Sequence, residues 1–145
     1  MFLKKEDIYT INIMINTTIK NRSISSNKLK KRLNINKKLG TKDLSSWLFR
    51  RYNINKGDYI LEVGCGVGQH INIEKKIIGK KGFILATDIS GKSLINIKNT
   101  KNVFTKKIAM ENLPKYLKKL NFKFDKIISS YAFYYAYNPI GLLTK

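Results

Sequence analysis

In ILEVGCGVGQH, residues 60–70, an apolar run carries one acid, Glu62, and then gives way to glycines at 64, 66 and 68. A short apolar run reads as a buried strand, and the glycines that follow read as a turn in which the main chain comes close to a ligand. In parallel α/β sheets ligands sit at the carboxyl ends of the strands, where the chain turns into the next helix. The stretch is therefore a nucleotide-type binding loop, and its spacing limits the ligand. A dinucleotide fold requires G-x-G-x-x-G, but Gln69 stands where the third glycine of that pattern belongs, which disfavours a nicotinamide-dependent oxidoreductase. The Gly-Lys-Ser/Thr ending of a phosphate loop is absent as well.

Working outward, Tyr59–Val63 is the strand before the turn, and a helix is expected from about Gln69 to Ile78, closed by GKKG at 79–82. FILATD, residues 83–88, reads as a second strand. Ser90 can cap a helix carrying Leu94 and Ile97, and residues 102–108 can form a third strand. Pro114 suits the first position of a helix with Leu113, Tyr116, Leu117 and Leu120 on one stripe, and FKFDKIISS, residues 122–130, reads as a fourth strand. Upstream, Thr41 can cap a helix with Asp43 in its first turn, Arg50 and Arg51 in its last, and Leu44, Trp47, Leu48 and Tyr52 on one face. Strands alternating with helices imply an α/β fold, a parallel sheet with helical crossovers. Residues 1–40, with alternating Ile11, Ile13 and Ile15 and a polar basic stretch over 20–38, are expected to form a basic arm, part of it helical; 41–145 form the domain.

Four segments, in order, resemble class I S-adenosylmethionine-dependent methyltransferases: E-x-G-x-G-x-G at 62–68, ATDIS at 86–90, MENLP at 110–114 and FDKIISSYAF at 124–133. The resemblance runs from about Leu44 to Tyr137 and is strongest to the small-molecule group that includes quinone-biosynthesis enzymes. It implies a Rossmann-like methyltransferase fold with strand order 3-2-1-4, and S-adenosyl-L-methionine as cofactor. By that resemblance Gly64, Cys65, Gly66 and Gly68 wrap the methionyl and ribose end, and Glu62 supports the turn and the methionyl amine. Asp88 accepts from the ribose hydroxyls and Ile89 lies against adenine. Ala109 stands where the family usually places an acid for the adenine amino group, so backbone at Ala109 or Met110 takes that contact. The family's sheet continues past the fourth strand, so the fold is expected to be incomplete, truncated after it. That leaves an edge prone to self-association or to pairing with a complementing C-terminal polypeptide. Tyr131, Phe133, Tyr134 and Tyr135 line a remnant substrate pocket or, for two or three of them, fill the core.

No catalytic base is assigned, because a sulfonium already makes the methyl carbon electrophilic and transfer requires mainly alignment. Cys65 is read as a small turn residue rather than a nucleophile, His70 as a helix-surface imidazole, and Asp125 as an acid that caps or solvates a strand end. One histidine and one cysteine supply no metal cluster and no internal disulfide, which suits a reducing, cytoplasmic setting. The net charge of +20 comes from 25 Lys and only 4 Arg, and it accompanies 21 Ile and 15 Asn, a compositional bias rather than an Arg-built phosphate reader. The alternatives to a small-molecule enzyme are an RNA methyltransferase or RNA binder using the basic arm, and a catalytically inactive interaction module. The N-terminus has acids where a signal peptide would need an apolar core. Residues 127–144 are free of charge but carry Ser129, Ser130, Asn138, Pro139 and Gly141, so a strand and turn are expected there rather than a membrane span.

Overall fold

The computed structural model describes residues 44–120 and 123–143, together with helical backbone at 28, 31, 34 and 35. Within these residues the chain runs α1 (Leu44–Tyr52), β1 (Tyr59–Val63), α2 (Ile71–Ile78), β2 (Phe83–Asp88), α3 (Gly91–Leu94), β3 (Val103–Lys107), a 3-10 turn (Met110–Asn112), α4 (Leu113–Leu117), β4 (Lys126–Ile128), a second 3-10 turn (Phe133–Tyr135) and α5 (Pro139–Leu143). All four strands are parallel, in the order β3-β2-β1-β4. The alternating isoleucines at 11–15, the Thr41 cap and Asp43 lie outside the described residues.

β1 and β2 are buried on both faces, and the period of two along them sorts their side chains into two cores. Ile60, Ile84 and Ala86 face one cluster, closed by Ile71 and Ile78 of α2, Leu94 of α3 and Ile97 just after it. Leu61, Val63 and Leu85 face the other, closed by Leu113 with Met110, Tyr116 and Leu117 against it. Glu62 stands two residues after Ile60, so the same alternation sends its side chain to the α2 side. This phase decides the chemistry beneath the glycine turn.

Several boundaries are shorter than the sequence indicates. The helix expected from Gln69 begins at Ile71, and the fourth strand keeps three residues, Lys126–Ile128. Its flanks bind β1 by other means. Asp125 Oδ2 accepts from the Tyr59 amide at 2.8 Å, and Ser129 Oγ donates to the Val63 carbonyl at 3.0 Å. Asp125 is thus a strand-end partner, as its position implied. In α1, Trp47 is exposed rather than packed, with the Arg51 guanidinium 4.4 Å from its ring centroid, while Tyr52 rests on the first core. Among the described residues no helix is long and apolar enough to cross a membrane.

Candidate functional site

β1 and β2 end side by side, and their ends build one junction. The amides of Gly64 and Cys65 both donate to the Thr87 carbonyl, at 2.8 and 2.9 Å, and Thr87 Oγ1 donates back to the Glu62 carbonyl at 3.0 Å. One residue on, Asp88 turns its carboxylate to the glycine turn: Oδ2 accepts from the Gly66 amide at 2.8 Å and Oδ1 from the Ser90 amide at 2.7 Å. Ser90 then caps α3 by accepting from the Ser93 amide. The Gly68 amide donates to the Cys65 carbonyl at 3.0 Å. The turn's amides at 64, 65, 66 and 68 are thus all engaged within the chain. What the turn offers a ligand is bare backbone at its glycines, not the cluster of inward N–H groups that grips a phosphate.

All three glycines of the turn have positive φ. At Gly64 and Gly68 a Cβ would also collide, 2.1 Å from the Cβ of Ala132 and 2.5 Å from Cγ1 of Ile97. Part of the glycine pattern is therefore a packing requirement, which spacing alone cannot separate from a ligand requirement. Cys65 is buried in the first core, and burial pushes its thiol far above the ordinary value, so it has no nucleophilic character at neutral pH.

Beneath the turn lies a group that the sequence reading does not collect. His70 is buried, 8% exposed, not on the helix surface as expected. Its ring packs edge-on against Phe49, with centroids 5.2 Å apart, and Tyr52 flanks it from α1. Glu62 and Glu74 are 3% and 0% exposed. One ligand atom from each of Glu62, His70 and Glu74 lies within 4.8 Å of the other two, a set able to hold a metal ion. The available signal was His70 and Glu74 at i and i+4, on one face of a helix.

Burial raises the Glu62 carboxyl well above its usual range, and the charges of Glu74 and Asp88 add to this. Burial alone raises Glu74 to about 7 and lowers His70. A raised carboxyl binds its proton more tightly in the folded state, so its stabilisation is complete below about 4.5 and is lost as pH climbs through the folded value. The lowered histidine acts oppositely, but only below its unfolded value of about 6.5. Between pH 6.5 and 8 the carboxyls alone act. The melting midpoint of chelator-treated protein should therefore fall by roughly 2–4 °C across that interval, a loss that calorimetry at several pH values would measure and that Glu74→Met should reduce.

No family model matches this sequence, and no curated protein matches it. Solved structures do. An S-adenosylmethionine-dependent methyltransferase from Aquifex aeolicus superposes with a TM-score of 0.65 at 21% identity, over 84% of this chain and 65% of that one. A chain from the complex of the Haloferax volcanii Trm112 methyltransferase activator with its methyltransferase gives 0.56 at 22% identity, over 68% and 43%. An arsenic(III) S-adenosylmethionine methyltransferase from Chlamydomonas reinhardtii gives 0.52 at 19%, over 63% and 34%. This chain has the class I methyltransferase fold. It spans less than two thirds of the length of each of these three proteins.

In this methyltransferase fold the other positions singled out from sequence fall at the same end of the sheet. Ile89 follows Asp88 and is half-buried, and the Ile108 amide donates to the Asp88 carbonyl at 2.9 Å, which brings Ala109 and Met110 to the end of β2. The Met110 side chain packs on the second core, leaving backbone as what this segment can present. Glu111 Oε1 accepts from the Tyr137 amide at 2.9 Å and so ties this segment to the aromatic run. The aromatics themselves are not core: Tyr131, Tyr134 and Tyr137 are exposed and Phe133 and Tyr135 half-buried, whereas Ala132 and Ala136 are buried. Ala132 is the residue that meets Gly64, and the two alanines take the interior while the rings of Tyr131, Tyr134 and Tyr137 turn outward.

Proposed function

We propose that this chain is an S-adenosylmethionine-dependent methyltransferase, or the cofactor-binding part of one, acting on a small-molecule acceptor in the reducing interior of the cell. The observation that carries this reading is the Asp88 carboxylate at the end of β2, hydrogen-bonded to Gly66 of the turn after β1. The residues fit the cofactor. A turn with glycine at 64, 66 and 68 admits an adenosyl group, and the engaged amides of 64, 65, 66 and 68 suit a ligand with no phosphate. Each Asp88 oxygen accepts one backbone bond, and a carboxylate has about four acceptor sites, so two remain for ribose hydroxyls. Glu62, buried beneath the turn, acts on the turn or through water rather than by direct reach.

When bound, the cofactor supplies an electrophilic methyl group. The chain's part is to orient it and keep water out: the turn and Asp88 fix the ribose, Ile89 flanks the base, and the backbone of Ala109 and Met110 faces the adenine edge. Having Ala109 where the family usually has an acid lowers selectivity for the adenine amino group. Titration with S-adenosylhomocysteine tests the reading. A ligand that binds only the folded state raises the melting midpoint, by roughly 8 °C when present at 100 times its Kd. An unchanged midpoint at millimolar ligand would refute it.

A second reading concerns partners, and the surface beside β4 favours it. Ile127 on the edge strand β4 is 70% exposed, and the segment that follows it exposes Tyr131, Tyr134, Tyr137 and Ile140. An apolar surface at the edge of a sheet suits coverage by a complementing polypeptide that adds strands to β4. Co-expression with such a polypeptide, followed by size-exclusion chromatography, should yield a 1:1 complex that Ile127→Lys prevents.

A further inference from the structure

We propose that Glu62, His70 and Glu74 form a binding site for a divalent transition-metal ion of the zinc class, which braces the glycine turn from beneath. Two carboxylates and one imidazole come together, Glu62 from β1, His70 from the residue just before α2 and Glu74 from the first turn of α2. The Glu74 amide donates to the His70 carbonyl at 3.0 Å, so the helical turn that sets their i, i+4 spacing is formed. Nδ1 of His70 is 3.9 Å from Oε1 of Glu62. Metal–ligand bonds of about 2.1 Å place tetrahedral ligand atoms roughly 3.4 Å apart, so the side chains need to draw in by about an ångström.

The second observation is independent of this clustering. Glu62 Oε2 and both carboxylate oxygens of Glu74 are buried, and no hydrogen-bond donor among the described residues reaches them. A buried acid without partners is costly, and apolar residues of similar size would be more stable there. With only nine acids among 145 residues, placing two of them face to face in the interior calls for a cation. A dication held by two carboxylates and a neutral imidazole is charge-balanced. Nitrogen with carboxylate oxygen is the donor set of borderline ions rather than of calcium or magnesium, which take oxygen alone. The aromatic wall of Phe49 and Tyr52 fixes the imidazole and shields the site. Because residues 63–69 lie between the ligands, an ion there would tie the two ends of the turn together.

His70 is the only histidine of the chain, so its imidazole signals report the site directly by nuclear magnetic resonance. Adding one equivalent of Zn²⁺ to the full chain should convert these signals to a new set that a chelator reverses. The melting midpoint should rise by roughly 8 °C at a free zinc concentration 100 times Kd. Glu74→Met should remain folded and lose affinity by more than the roughly 10–100-fold that removing a supporting partner costs; Glu74→Gln, closer in shape, provides the same comparison should the methionine variant not fold. Imidazole signals that stay unmoved by Zn²⁺, Mn²⁺ and Co²⁺, or zinc binding undiminished in both variants, would overturn the proposal. Failure to bind S-adenosylhomocysteine while His70 still takes zinc would sink the methyltransferase reading and leave this one standing.

Discussion

Asp88→Ala should all but abolish binding of S-adenosylhomocysteine, lowering affinity on the order of 100- to 10,000-fold. Two hydrogen bonds from ribose hydroxyls to a carboxylate contribute about 1.5–3 kcal/mol each, and alanine removes both. The same change orphans the Gly66 and Ser90 amides, which donate to Asp88 at 2.8 and 2.7 Å, so the fold should weaken too, by about 2 kcal/mol. Titration calorimetry well below the variant's midpoint separates the two effects. Asp88→Asn sharpens the comparison, because it keeps one acceptor oxygen for the turn while losing the charge and the second acceptor. Full affinity in folded Asp88→Ala would show that the acid serves the turn alone.

Gly64→Ala should destabilise the domain by about 3–4 kcal/mol, roughly 10 °C in midpoint. Two costs combine. The residue sits at φ +72, where an L side chain costs roughly 1–2 kcal/mol, and its new methyl carbon would be 2.1 Å from the Cβ of Ala132. The second cost can be removed separately. In the double variant Gly64→Ala, Ala132→Gly, the nearest remaining atom is the Ala132 Cα at 3.6 Å, an ordinary contact. A double-mutant cycle should then show a favourable coupling of about 2 kcal/mol, with the backbone cost remaining. Zero coupling by denaturant melts would mean that the β4 segment does not close over the turn as described.

Much of the frame was legible because it rests on local signals. Tyr59–Val63 and Phe83–Asp88 were read at their observed bounds, since both are short apolar runs bounded by turn residues, and Ser90 caps α3 as its position indicated. The order 3-2-1-4 came from the resemblance and is the order observed. The rule for parallel strands puts the glycine turn at the carboxyl end of the sheet and the resemblance puts Asp88 beside it, and the two meet there. Other readings failed where a neighbour distant in sequence decides. Trp47 is exposed, although the helical stripe placed it inward. His70 was assigned to the surface of α2, but α1 packs over it. The aromatic run is expected partly in the core, yet the residue that closes on Gly64 is Ala132, and Tyr131, Tyr134 and Tyr137 are exposed.

By itself the sequence determined the alternation of strands and helices, the glycine turn and the acid one strand later. The alternation and the turn follow from hydrophobic period and backbone sterics acting over a few residues, and the significance of the acid follows from the resemblance of ATDIS to the methyltransferase pattern. Only the tertiary structure decided that Glu62 and Glu74 confront one another beside His70, and that Ala132 rather than a tyrosine closes on the turn. Which side chains meet depends on strand phase and helix rotation across elements, and a pattern read along one segment contains no record of the phase of the next.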